Sequence, residues 1–138
     1  MFKIGLTFIT LILFIACGAS SNGTASGKTI KSGSAGNNLT VTLANQDGVL
    51  RHGKQDFTLT FTDASGKPVD VGAAAVNFFM PAMGTMPAMN NAATLTTTGT
   101  PGVYRGAVDL EMAGEWQTQI TYERAAGKGR ADMPVTAQ

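Results

Sequence analysis

Four methionines stand three residues apart in the middle of this chain, in Met80-Pro-Ala-Met83-Gly-Thr-Met86-Pro-Ala-Met89. Thioether sulfur is a soft donor that suits Cu(I). It is neutral, so a site built from it does not release Cu(I) or Ag(I) through protonation of its ligands. Zn(II) and Cu(II) fit less well, since they prefer nitrogen or thiolate donors. A spacing of three also breaks the period of two that marks a half-buried strand. Pro81 and Pro87 each fix φ and remove a backbone donor. They bias Met80 and Met86 toward extended geometry. In a polyproline II run, methionines at i and i+3 would share a face but stand about 9 Å apart. Even spacing alone therefore keeps the sulfurs too far from one another. Gly84 can turn the chain at positive φ. The four methionines are symmetric about Gly84-Thr85. A turn there sets Met83 beside Met86 and Met80 beside Met89, and lets three or four sulfurs surround one soft ion. Met80, Met83, Met86 and Met89 are thus the candidate ligands for Cu(I) or Ag(I).

Two other readings of these residues stay open. Methionine fills irregular gaps in a core, and Met80 and Met83 are the best placed to plug the end of a fold. The segment could also offer an adaptable surface to a protein partner.

Other chemistry is scarce. His52, beside Arg51 and Lys54, reads as a solvated loop residue that joins a metal only if the fold brings its loop close. Asp109, Glu111 and Glu115 surround Met112 as a solvated acidic face. No residues suggest a nucleophile with its base or a phosphate-cradling glycine loop, so no enzyme is expected. The chain has 10 basic and 9 acidic side chains in 138 residues. That near balance leaves no basic patch to recommend nucleic acid.

The elements that must position the methionines begin after a leader. Lys3 is the only charge before Lys28, and Ile4 to Ala16 form an apolar run. A membrane span needs about 20 such residues, so this run reads as a secretory signal peptide instead. The only cysteine, Cys17, follows in Leu-Phe-Ile-Ala-Cys17-Gly. This resembles a bacterial lipobox, with Cys17 acylated to anchor the chain in a membrane; two acyl chains suffice for stable anchoring. Gly18 is not the acidic residue associated with inner-membrane retention, which in a Gram-negative cell favours the outer membrane, facing the periplasm. Residues 17–38 are mostly Gly, Ser, Ala, Thr, Asn and Lys, a composition too poor to form a core. They read as a flexible linker spanning roughly 25 Å. With Cys17 acylated, the mature chain keeps no thiol for disulfides or thiolate metal sites.

Residues 39–138 read as strands. Leu39, Val41 and Leu43 alternate with polar or small residues, as do Phe57, Leu59 and Phe61. Val76 and Phe78 lead into the methionines, and Leu95 marks a short stretch. Tyr104 and Val108 mark another, followed by Trp116, Thr118, Ile120 and Tyr122, and finally Ala131, Met133 and Val135. Turn signals separate them. About seven short strands of this kind predict an all-β, immunoglobulin-like antiparallel sandwich, with Trp116 packed between its sheets.

Three stretches carry a resemblance: Asn77 to Met89, Gly102-Val-Tyr-Arg-Gly106, and Leu110-Glu-Met-Ala-Gly-Glu-Trp116. With Phe57 to Val69 before them, they resemble the YtkA-like domain family over most of residues 39–136. The resemblance implies a small extracytoplasmic immunoglobulin-like module, often a lipoprotein, with an association with copper. Similar modules accompany heavy-metal efflux adaptors, and related FixH-like proteins accompany copper oxidases. Metal-efflux or oxidase-assembly components are therefore the implied partners. Many members carry histidine near the methionine loop. Here Gly84-Thr85 stands in that place, which leaves sulfur alone.

Overall fold

The alternating segments fold as strands because every second side chain can be buried while its neighbours face water. A computed structural model describes residues 27–138. The expected signal peptide (1–16), the expected acylation site Cys17 and the first part of the expected linker lie outside the described residues. Nine strands follow: β1 (Lys28–Ser34), β2 (Thr40–Asn45), β3 (Gly53–Thr62), β4 (Ala73–Met80), β5 (Met89–Ala92), β6 (Thr94–Thr97), β7 (Val103–Leu110), β8 (Gly114–Arg124) and β9 (Gly127–Ala137). They form one sheet in the order β1-β2-β3-β7-β6 and a second in the order β5-β4-β8-β9. All neighbours are antiparallel. Set β1 aside, and β2-β3-β7-β6 against β5-β4-β8-β9 reproduces the A-B-E-D and C′-C-F-G strand orders of an immunoglobulin sandwich. The seven segments read from the sequence correspond to β2, β3, β4, β6, β7, β8 and β9.

The core lies between the sheets. Trp116, Phe61, Phe78, Leu43, Leu59 and Ile120 are among its fully buried members. Phe57 meets Phe78 across it edge to face, with ring centroids 5.9 Å apart, and Phe61 meets Tyr122 at 5.4 Å. Gly106, cross-strand from Phe57, leaves room for that ring: a methyl there would stand 2.2 Å from a ring carbon. Trp116 is 1% exposed, and its indole N–H donates to the Met112 carbonyl at 3.1 Å.

The linker expected over 17–38 is corrected by β1, which occupies Lys28–Ser34 within it. Most side chains of β1 are exposed. It is held mainly by main-chain pairing with β2, from Lys28 against Asn45 to Ser34 against Thr40. Gly33 also lies against Met133 of β9, so β1 closes that flank of the sandwich. The turn that follows is pinned to the body. The Tyr122 hydroxyl donates to the carbonyl of fully buried Ala35 at 2.9 Å, and the Asn37 amide donates to the Tyr122 oxygen at 3.0 Å. Folded structure is thus present from Lys28, ahead of the boundary expected at 39.

One end of the sandwich gathers several features. The start of β1 packs near Gly48 in the β2–β3 loop. Leu50 pairs with Ala137, Ala137 with Gly114, and Gly114 lies against the Met80 methyl. The β4–β5 connection leaves from this same end.

Candidate functional site

That connection is the methionine segment, and it is a hairpin. β4 and β5 pair in the register Asn77↔Ala92, Phe78↔Asn91, Phe79↔Asn90 and Met80↔Met89. The same register recurs at the tip, where Met83 and Met86 bridge. Their backbones exchange two hydrogen bonds, the Met83 N–H to the Met86 carbonyl at 3.1 Å and the reverse at 2.9 Å. Gly84, at φ 57, is the first residue of the two-residue turn, and Thr85 is not among the positive-φ residues. That is the pattern of a type II′ turn, which has glycine in its first central position. Pro81 and Pro87 lie between the two rungs, where their missing N–H groups interrupt the ladder.

The turn brings together the residues that the spacing pairs: Met83 with Met86, and Met80 with Met89. The two rungs then meet different surroundings. Met80 is 2% exposed and belongs to the core. Met89 is half-buried and packs on that core. Met83 and Met86 are 59% and 41% exposed, the exposed large hydrophobics among the described residues. The packing role read for Met80 holds, and the same role for Met83 does not. Every residue from Pro81 to Ala88 is exposed. Directly opposed residues have Cβ atoms about 4.5–5.5 Å apart. Two thioethers on flexible stems can converge on one ion from there.

The base of the hairpin is braced by residues that carried no signal in the sequence. The Asn77 amide donates to Asn90 at 3.0 Å and to Gln119 at 3.1 Å, tying β5, β4 and β8 across the outer face. Asn77, Asn90 and Gln119 lie on three different strands, so only the fold reveals the chain of amides.

Charge is arranged around the hairpin rather than in it. No charged side chain occurs from Val71 to Tyr104. The β7–β8 turn that abuts Met80 through Gly114 carries exposed Glu111 and Glu115. No three His, Cys, Asp or Glu side chains gather as a cage among the described residues. His52 stands at this same end of the sandwich, its backbone N–H donating to the Gln138 carbonyl at 2.9 Å and its Nδ1 3.3 Å from that oxygen. Two exposed carboxyls in other loops have shifted acidity. Arg51 beside Asp47, at 2.7 Å, holds that carboxyl below its usual range. The Ser65 hydroxyl does the same for Asp63. Both are exposed loop contacts.

A comparison with protein families matches residues 33–121 to the family described as YtkA-like. Comparisons with curated proteins and with solved structures give no match.

Proposed function

The chain belongs to the YtkA-like family, and from that premise we propose that it is a non-enzymatic envelope lipoprotein that binds Cu(I) or Ag(I) through its methionine hairpin. Acylated Cys17 anchors it, in an outer membrane facing the periplasm where the cell has one. It buffers the ion or delivers it to efflux or oxidase-assembly components. One observation carries this reading: Met83 and Met86 are opposed on a hydrogen-bonded rung and both open to solvent. Two soft donors are thereby preset on a short turn; Met89, three residues from Met86 along the strand, faces the core instead. Met80 serves the core and fixes the base of the site. The neighbouring Glu111 and Glu115 favour the approach of a cation.

The test is competition for Cu(I) against a chromophoric chelator under reducing conditions. The natural protein should withdraw the ion, and Met83→Leu/Met86→Leu should not. Equal withdrawal by both overturns the metal reading. A second reading rests on the exposure of the same tip in an uncharged stretch, since methionine-rich surfaces adapt to many partners. In that case the module docks on an envelope protein without metal, and crosslinking from residue 85 in cells captures one discrete protein whether or not copper is present.

A further inference from the structure

We propose that the tip of the methionine hairpin rests in the lipid surface to which the chain is anchored. This rests on the acylated Cys17 of the reading above and adds a second occupant for the same two side chains: lipid contact and uptake of aqueous Cu(I) alternate at Met83 and Met86.

The first observation is placement. β1 starts at the end of the sandwich from which the hairpin leaves, beside Gly48, Leu50, Ala137, Gly114 and Met80 in succession. Gly27 stands ten residue steps beyond Cys17. Fully extended, they reach at most about 36 Å. The 11 residues of β9 span about as much along the sandwich, at roughly 3.3 Å per residue. The far end, with the Asp63–Lys67 turn, could meet the membrane only with the tether drawn taut along the whole body. The hairpin end meets it with slack to spare. From Met80 to Gly84 the hairpin extends about 13 Å beyond that end, by the same rise.

The second observation is the chemistry of the tip. It carries no charge, its exposed large hydrophobics are Met83 and Met86, and Thr85 is its one polar side chain. Backbone donors that lose water without a partner oppose entry into lipid. Pro81 and Pro87 have no N–H, and the N–H groups of Met83 and Met86 satisfy each other's carbonyls; those of Ala82, Gly84, Thr85 and Ala88 are left to water or headgroups, which holds the tip at the interface rather than in the hydrocarbon. The glutamates at the base, Glu111 and Glu115, stay in water and limit the depth. The absence of lysine and arginine from the hairpin means that contact does not depend on anionic headgroups, so a zwitterionic surface suffices. Anchoring makes the encounter intramolecular, and a modest affinity is enough.

The full acylated chain in phosphatidylcholine vesicles tests this. A nitroxide is attached at Thr85→Cys or, at the far end, at Ser65→Cys; acylation leaves Cys17 no free thiol to label. Collision with an aqueous nickel chelate is then measured. The label at 85 should collide several-fold less often than the label at 65. Adding Met83→Asp/Met86→Asp should restore collision to the level seen at 65. Two results overturn the lipid contact alone: equal collision at both sites in acylated protein, and protection at 85 that survives the aspartate pair. A mature mass lacking acyl groups overturns the anchored reading itself, and this inference with it.

Discussion

Replacing the four methionines one at a time should divide them into two classes, because the hairpin places them in two environments. Met80 is 2% exposed and touches the start of β8 through Gly114. Truncating a buried methionine to alanine costs about 2–4 kcal/mol, combining lost transfer energy with the cavity left behind. For a domain of this size each kcal/mol lowers the thermal midpoint by about 4–5 °C, so Met80→Ala should lose about 8–20 °C. Met83→Ala and Met86→Ala remove side chains that are 59% and 41% exposed. Surface changes of this kind stay within about 0.5 kcal/mol, or roughly 3 °C. Cu(I) should reverse the ranking. A ligand at 100 times its dissociation constant adds about 2.7 kcal/mol to the native state, a rise of about 10 °C. Met80→Leu, which keeps the volume, should retain that rise; Met83→Leu/Met86→Leu should lose it. The assay is thermal unfolding of the mature chain under reducing conditions, with and without Cu(I), followed by the signal of buried Trp116. The reasoning fails if Met83→Ala costs as much as Met80→Ala. It also fails if Met80→Leu abolishes the Cu(I) shift while the tip pair keeps it.

Four further outcomes follow from other contacts. Gly106→Ala places a methyl 2.2 Å from the Phe57 ring; it should cost about 1–3 kcal/mol through overpacking, read from denaturant midpoints. The Thr118 hydroxyl is fully buried without a hydrogen-bond partner, so Thr118→Val should raise stability by about 1 kcal/mol. Deleting residues 27–38 should lower the thermal midpoint and promote association on a sizing column, because it exposes the edge of β2; deleting a mere tether would change neither. Burial, and secondarily the charge of Asp70, raises the Tyr104 hydroxyl above its ordinary 10.0. The stability this group contributes is full below pH 10 and is lost as pH rises through the raised native value. Tyr104→Phe should remove that alkaline slope from denaturant midpoints measured between pH 8 and 11.

What was legible in the sequence follows from what each element depends on. β2, β3, β7 and β8 are written in alternation because their inward side chains alone fill the core. Trp116 was placed correctly for that reason. The hairpin was legible because Gly84 sits at the centre of a symmetric arrangement, and symmetry plus a turn fixes the register. The fate of each sulfur was not legible. Met80 and Met83 are alike in the sequence, but one stands where the sheets still face each other and the other beyond their end. β1 escaped notice because main-chain pairing largely holds it, and its side chains, apart from Ile30, are those of a linker. β5 was hidden similarly, since Met89-Asn-Asn-Ala92 has no strand-like alternation and depends on β4 for its pairing.

The first strand also determines how this domain bears force. β1 runs antiparallel to β2, with Lys28 at the hairpin end and Ser34 at the other. A pull arriving through residues before Gly27 acts along the axis of β1. It strains the rungs from Lys28 to Ser34 together, in shear, rather than peeling them one after another. A strand attached by its opposite end and folded back would unzip under a much smaller load. With Cys17 acylated as proposed, membrane undulation or a partner tugging on the body would meet its resistance at a seven-residue clasp that contributes little to the core.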